Sequence, residues 1–204
     1  MPASPPVPPV PAVPVWPDPE LGHWVTVPPG LEGEPPLECW LALQPLGAPR
    51  AAVLVLPEIF GINAWIRSVA GRLALAGYAA LAVPLFSRTA PGLSLAYDAA
   101  AVQEGRSHKD RTTAATLLED LSRAARWLAQ SQPGLPADLG CVGFCFGGHV
   151  AMLAAGLPWV RASCDAYGAG VVTGRPGGGL PTLAGVATSP ARLLCLCGRE
   201  DPLI

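Results

Sequence analysis

Charge is scarce in this chain: 14% of its 204 residues are Asp, Glu, Lys or Arg, and the formal net charge is −2. The 13 basic residues are scattered, with Arg67, Arg72 and Arg88 in different segments, so no basic face exists for a nucleic acid or an anionic membrane surface. Histidine is scarcer, at three residues, and the last of them is His149. Half of the residues are hydrophobic, yet no apolar run reaches the roughly 20 residues that span a bilayer. The start, MPASPPVPPVPAVPVWP, lacks both the positive charge and the continuous apolar stretch of a secretory signal, because proline recurs every two or three residues. These absences exclude nucleic-acid and membrane partners and leave a cytoplasmic protein with a small-molecule partner as the expectation. They say nothing about oligomeric state.

Other absences concern metals and cofactors. Cys141 and Cys145 have no second pair at ligand spacing, which argues against a zinc site. Gly168-Ala-Gly170 with Gly174 is not the G-x-G-x-x-G of a dinucleotide fold, so dinucleotide binding is not expected. The six cysteines sit mostly in apolar, strand-like contexts and read as buried free thiols of a reducing compartment.

What is present is one domain behind a proline-rich tail. Residues 1–23 read as a solvated polyproline extension and 24–204 as the folded unit. Strand-like and helix-like patterns alternate along it. Leu37–Leu43 reads as a strand, and AAVLVL (51–56) as a strand buried on both faces of a parallel sheet. Ile66, Val69 and Leu73 share a helical face within 65–76, and Gly77 stands where a left-handed residue ends a helix. Tyr78–Val83 is a short strand. The spacing of Leu117, Leu121, Ala124 and Leu128 predicts one helix over 110–130, with Glu119, Arg123 and Arg126 facing away. Strands at 139–144, 162–167 and 191–197 and a helix at 146–155 complete the pattern. Alternation at this length predicts an α/β fold with a doubly wound, mainly parallel sheet, whose ligands bind beyond the carboxyl ends of the strands.

Reactive side chains gather at those ends: Glu58 after the 51–56 strand, Arg88 after the next, then Cys145, Tyr167 and Asp201. Cys145 has the strongest local case. In Gly143-Phe144-Cys145-Phe146-Gly147 the glycines leave room for a tight strand-to-helix turn that exposes the thiol beside a backbone N–H, and a helix N-terminus favours thiolate. His149 lies one turn into the same helix, against its flank, and reads as a packed or surface histidine rather than the base. Asp201, in CLCGRED, suits a carboxylate that orients an imidazole, and also a helix N-cap before Pro202. A non-catalytic binding module with the same fold, or a redox-sensing thiol, are the competing readings.

In order and spacing, PEIFGINAWIRSVAGRLALAGYAALAVPLFSRTAPG, VGFCFGGHVA, DAYGAG and CGREDPLI resemble the dienelactone hydrolase family of α/β-hydrolases, from about Leu37 to the last residue. The resemblance implies hydrolysis of an ester or lactone through a thioester, without metal or organic cofactor. It implies Cys145 as nucleophile, Asp201 as triad acid, and Glu58 as the carboxylate that switches the thiol to thiolate. It also implies the backbone amides of Ile59 and Phe146 as oxyanion hole, Arg88 as the ligand of a substrate carboxylate, and Tyr167 as a pocket wall. Pro84 departs from the aspartate often found there. The family's catalytic histidine, a second substrate arginine, the last strand and the C-terminal helix are expected beyond Ile204, which makes the chain a C-terminally truncated fold with impaired turnover.

Overall fold

A computed structural model describes residues 21–44, 47–135 and 139–201. The proline-rich segment up to residue 20 and the N-cap reading before Pro202 lie outside the described residues. Seven strands form one sheet: β1 (Gly22–Val27), β2 (Leu37–Ala42), β3 (Ala51–Leu56), β4 (Tyr78–Ala82), β5 (Leu139–Phe144), β6 (Val160–Ala166) and β7 (Arg192–Leu196), in the order β1-β2-β4-β3-β5-β6-β7. From β4 to β7 all pairings are parallel, while β1 and β2 add antiparallel at one edge. The doubly wound α/β architecture is therefore as expected. The first strand begins at Gly22, ahead of the anticipated boundary at 24.

Strand alternation divides the core in two. Leu54 and Leu56 join Leu37, Leu41, Leu81 and Leu139 on one face, beneath α3 (Ala114–Ser131) and α4 (Phe146–Ala154). Val55, Ala80 and Ala82 point the other way onto α1 (Ala64–Leu75), whose Ile66, Val69, Ala70 and Ala74 are buried. Asn63 caps α1 by accepting the Ile66 N–H, and Gly77 follows it at φ 89°. Beyond the reach of α1 the same face thins out: Val142 and Phe144 are only partly buried, and β7 is exposed along its whole length. All six cysteines are free, but Cys195 and Cys197 are exposed rather than buried, because they lie on or just past this edge strand.

Ahead of the expected helix over 110–130, which stands as α3, lies a helix that was not anticipated. Residues 99–109 form α2 (Ala99–Lys109), which Asp98 caps by accepting the Ala101 N–H, and Asp110 ends it. Thr113 starts α3 afresh, accepting the Thr116 N–H. The sequence of α2 has almost no apolar stripe, since only Ala101 and Gly105 are buried. What docks it is an omission: a Cβ on Gly105 would fall under 3.0 Å from the Ile59 carbonyl oxygen. His108 lies in the last turn of this helix. Arg123, expected to face away, is 5% exposed. The loop between β1 and β2 folds over it, so that it meets Glu34 at 3.2 Å, Asp120 at 3.1 Å and the Pro35 carbonyl at 3.1 Å.

Candidate active site

Because β3 to β7 run parallel, their carboxyl ends share one rim. Cys145 stands there between β5 and α4, with φ 52°. Only one other described non-glycine residue has positive φ, Tyr167 at 48°, after the neighbouring strand β6. Strained backbone at two adjacent strand ends marks a site where the fold over-determines geometry. The Cys145 N–H donates to the Ala166 carbonyl at 3.0 Å, and its carbonyl accepts the His149 N–H at 3.2 Å, which fixes the turn from both sides. The flanking glycines are steric necessities. A Cβ on Gly143 would collide with the Gly147 carbonyl, and one on Gly147 with the carbonyls of Leu56 and Pro57.

This second approach sets α4 directly beside the segment Pro57–Ile59. Glu58 there is partly buried and accepts the Tyr97 hydroxyl at 2.7 Å. Burial and then that bond push the Tyr97 phenol up to about 12. Burial also raises the Tyr167 phenol, helped by the charge of Glu58 and by a hydrogen bond to it. The Cys145 thiol is raised above its ordinary value chiefly by burial. A hydrogen bond from the Phe146 N–H and the charges of Lys109 and Arg106 oppose this, while Glu58 adds to it. The helix N-terminus was expected to favour thiolate; here desolvation outweighs it, and the resting group is a thiol.

Cys145, the Phe146 amide, Glu58 and Tyr167 are therefore gathered in one place. Ile59 is buried in the same loop, 7% exposed. Asp201 follows β7 on the same rim, in a turn where its N–H meets the Gly198 carbonyl at 3.2 Å. Arg88 is differently placed. Its guanidinium is taken up by Asp120, by Glu34 at 3.2 Å and by Glu119 at 3.4 Å. His149 is buried, with Nδ1 2.9 Å from the Ala169 carbonyl and Nε2 2.8 Å from the Thr182 hydroxyl. A carbonyl only accepts, so Nδ1 carries the proton and Nε2 receives the Thr182 O–H. Burial lowers the pKa of this imidazole, which stays neutral.

Sequence reasoning missed Tyr97, which meets Phe60 edge-to-face with ring centroids 4.6 Å apart, and the Asp98 cap before an alanine run was the signal that could have placed it. It also missed Asp165, 4% exposed at the end of β6, whose carboxylate accepts the Gly168 N–H at 2.8 Å and braces the turn holding Tyr167. Beside the elbow opens a cavity of about 310 Å³ whose wall includes Phe146, His149, Lys109, Thr173 and Arg175. No described helix is long and apolar enough to cross a membrane.

Comparison with known proteins bears on this geometry. A family model described as "Dienelactone hydrolase family" matches residues 40–204. A Synechocystis sp. protein named "Putative carboxymethylenebutenolidase" is 39% identical over 153 residues, covering 74% of this chain and 62% of its own length. The Pseudomonas putida "Carboxymethylenebutenolidase" is 32% identical over 137 residues, covering 63% of this chain and 54% of its own. The chain thus spans less than two thirds of either relative. Among solved structures, a Klebsiella pneumoniae protein described as "Putative Dienelactone Hydrolase" superposes with a TM-score of 0.76 at 27% identity, covering 90% of this chain and 74% of that one.

Proposed function

Because this chain belongs to the dienelactone hydrolase family, we propose that it cleaves an ester or lactone with Cys145 as nucleophile. The observation that carries the reading is the strained elbow itself, a thiol held at positive φ with the Phe146 N–H on its sulfur and the Glu58 charge acting on it. The Sγ proton passes to the Glu58 carboxylate as Sγ adds to the acyl carbon. The N–H groups of Ile59 and Phe146 receive the charge on the former carbonyl oxygen. When the carbonyl re-forms, the C–O bond breaks, the departing oxygen takes the proton back from Glu58, and a thioester remains on Cys145. Tyr167 walls the pocket on the β6 side.

Thiolate is itself expelled readily from the tetrahedral intermediate, so the substrate must carry a good leaving group, such as an enol or aryl oxygen. Water then splits the thioester into acid and free thiol, a step that the resemblance gives to a histidine oriented by Asp201. Among the described histidines, His149 has both ring nitrogens engaged and His108 faces the Thr89 hydroxyl at 3.1 Å. His23 sits on the edge strand β1. Incubation with p-nitrophenyl butyrate followed by peptide mass spectrometry should find a butyryl thioester on Cys145, absent from Cys145→Ala. An unmodified Cys145, with butyryl groups only on lysines or on other cysteines, would sink the proposal.

A further inference from the structure

Resting on that reading, we propose that the cavity beside the elbow is a carboxylate subsite, in which Lys109 and Arg175 hold an acidic group of the substrate. Arg88, the residue expected to do this, is already committed. Three carboxylates surround its guanidinium and leave it little net charge to offer a fourth. The cavity has the opposite balance. Lys109 and Arg175 line it with one acid, Asp110. Lys109 meets Asp110 at 3.0 Å, but both side chains are substantially exposed, and a pair of that kind holds weakly and yields to a better-placed anion. No described carboxylate stands within ion-pair distance of Arg175.

The frame is built before any ligand arrives. The segment 170–177 that carries Arg175 is pinned at several points: the Gly174 N–H to the Gly170 carbonyl at 2.9 Å, the Thr182 N–H to the Gly174 carbonyl at 3.0 Å, and the Ala114 N–H to the Pro176 carbonyl at 2.8 Å. Gly177, at φ 81°, lies against Thr113, where a Cβ would come within 2.9 Å of the threonine Cβ. Binding here would cost little ordering. Lys109 is set by the last turn of α2, whose docking on Ile59 also fixes the oxyanion loop. Its charge acts on both the Cys145 thiol and the His149 imidazole, so it is within electrostatic reach of nucleophile and cavity alike. Phe146 joins the two places physically, with its amide on the thiol and the same residue in the cavity wall. About 310 Å³ is near the lower end of small-molecule sites, which run from roughly 300 Å³ upward, so the acid is small. Two cations against one acid match a monocarboxylate better than a phosphate dianion.

Two measurements on the chain test this, each with wild type, Lys109→Gln, Arg175→Gln and, as a control for general charge, Arg126→Gln on the exposed side of α3. In calorimetric titration, glutarate as its monomethyl ester, a monocarboxylate, should bind saturably to wild type and Arg126→Gln and at least about tenfold more weakly to either cavity variant. In the second, acylation rates of Cys145 are compared for mono-p-nitrophenyl glutarate and p-nitrophenyl butyrate, which share a leaving group. The glutarate-to-butyrate ratio should fall about tenfold or more in each cavity variant, and the ratio cancels any effect that loss of the Lys109 charge has on the thiol itself. If butyrate acylates Cys145 but the ratio and the titration are the same in all four proteins, the subsite is wrong and the hydrolase reading stands. If glutarate binding depends on Lys109 and Arg175 but neither ester acylates Cys145, the subsite stands and the hydrolase reading falls. Inorganic phosphate binding more tightly than glutarate would overturn the carboxylate assignment.

Discussion

Replacing Gly147 with alanine sets two local rules against each other. Gly147 lies in the first turn of α4 and has no positive φ, so helix propensity alone predicts a gain of about 1 kcal/mol. The packing predicts a loss. A Cβ there would sit 2.5 Å from the Pro57 carbonyl oxygen and closer still to that of Leu56. Both obstacles are backbone at the end of β3, a strand paired on either side by β4 and β5, so neither can rotate away. Overpacking of this kind costs about 1–3 kcal/mol, and with two immovable carbonyls the upper end applies. The net is a destabilisation of about 2 kcal/mol, or roughly 4–8 °C in melting temperature for a chain of this size. The alternative to that cost is a shift of α4 away from Pro57–Ile59, which parts the Phe146 amide from the Ile59 amide. Acylation of Cys145 should then drop about 10²-fold, the loss expected when one oxyanion donor goes. Urea titration and the butyryl-transfer rate measure the two effects. Gly156→Ala is the control, since its Cβ would meet nothing nearer than the Leu153 carbonyl at 3.7 Å, and it should leave stability equal or up to about 1 kcal/mol higher. A Gly147→Ala protein as stable and as reactive as wild type would refute the steric account of the elbow.

Three further outcomes follow from the electrostatics and hydrogen bonding. The Cys145 thiol is raised chiefly by burial, so its alkylation by iodoacetamide, followed on its own peptide, should have a pH midpoint above that of a free thiol. Glu58→Gln should bring that midpoint down, and a wild-type midpoint below the ordinary thiol value would contradict the geometry. Arg88→Gln leaves the nearly buried Asp120 with Arg123 alone and should cost about 1–3 kcal/mol. Burial already raises the Asp120 carboxyl, and a raised acid adds stability below its unfolded pKa that is lost as pH rises through the folded value. The Arg88→Gln deficit should therefore be largest near neutrality and shrink once Asp120 is protonated; equal deficits near pH 4 and pH 7 would argue against this. His149→Gln should lose about 1–3 kcal/mol with its two buried hydrogen bonds and still acylate at Cys145, whereas loss of acylation in a folded variant would show that His149 serves the chemistry.

Elements that announce themselves by apolar pattern were legible in the sequence. The 51–56 run, the Leu117-to-Leu128 stripe and the Gly-x-Cys-x-Gly turn each occupy the place their spacing predicts. What escaped was held by contacts between distant residues. Helix α2 has no stripe because it docks through the bare face of Gly105 onto a carbonyl, a feature with no signature in hydropathy. Arg123 lies on a helix that reads as amphipathic, and its burial depends on Glu34, 89 residues away. Arg88 was read from its neighbours in sequence, but its partners come from two other elements. The protonation of Cys145 reflects a balance of burial against a helix N-terminus, which requires knowing how much water the fold excludes.

The cluster of Glu34, Arg88, Asp120 and Arg123 also ranks the parts of the molecule by when they are secured. Its contacts join residues 32, 54 and 89 positions apart along the chain. The β1–β2 hairpin lies at the antiparallel edge, with Glu34 in its connecting loop. That loop finds its anchors only after β4 has delivered Arg88 and α3 has delivered Asp120 and Arg123, and long closures of this kind come late. The hairpin is thus a clasp fastened onto a finished frame. The Glu34 loop thereby ties the antiparallel edge of the sheet to α3 and to the segment after β4.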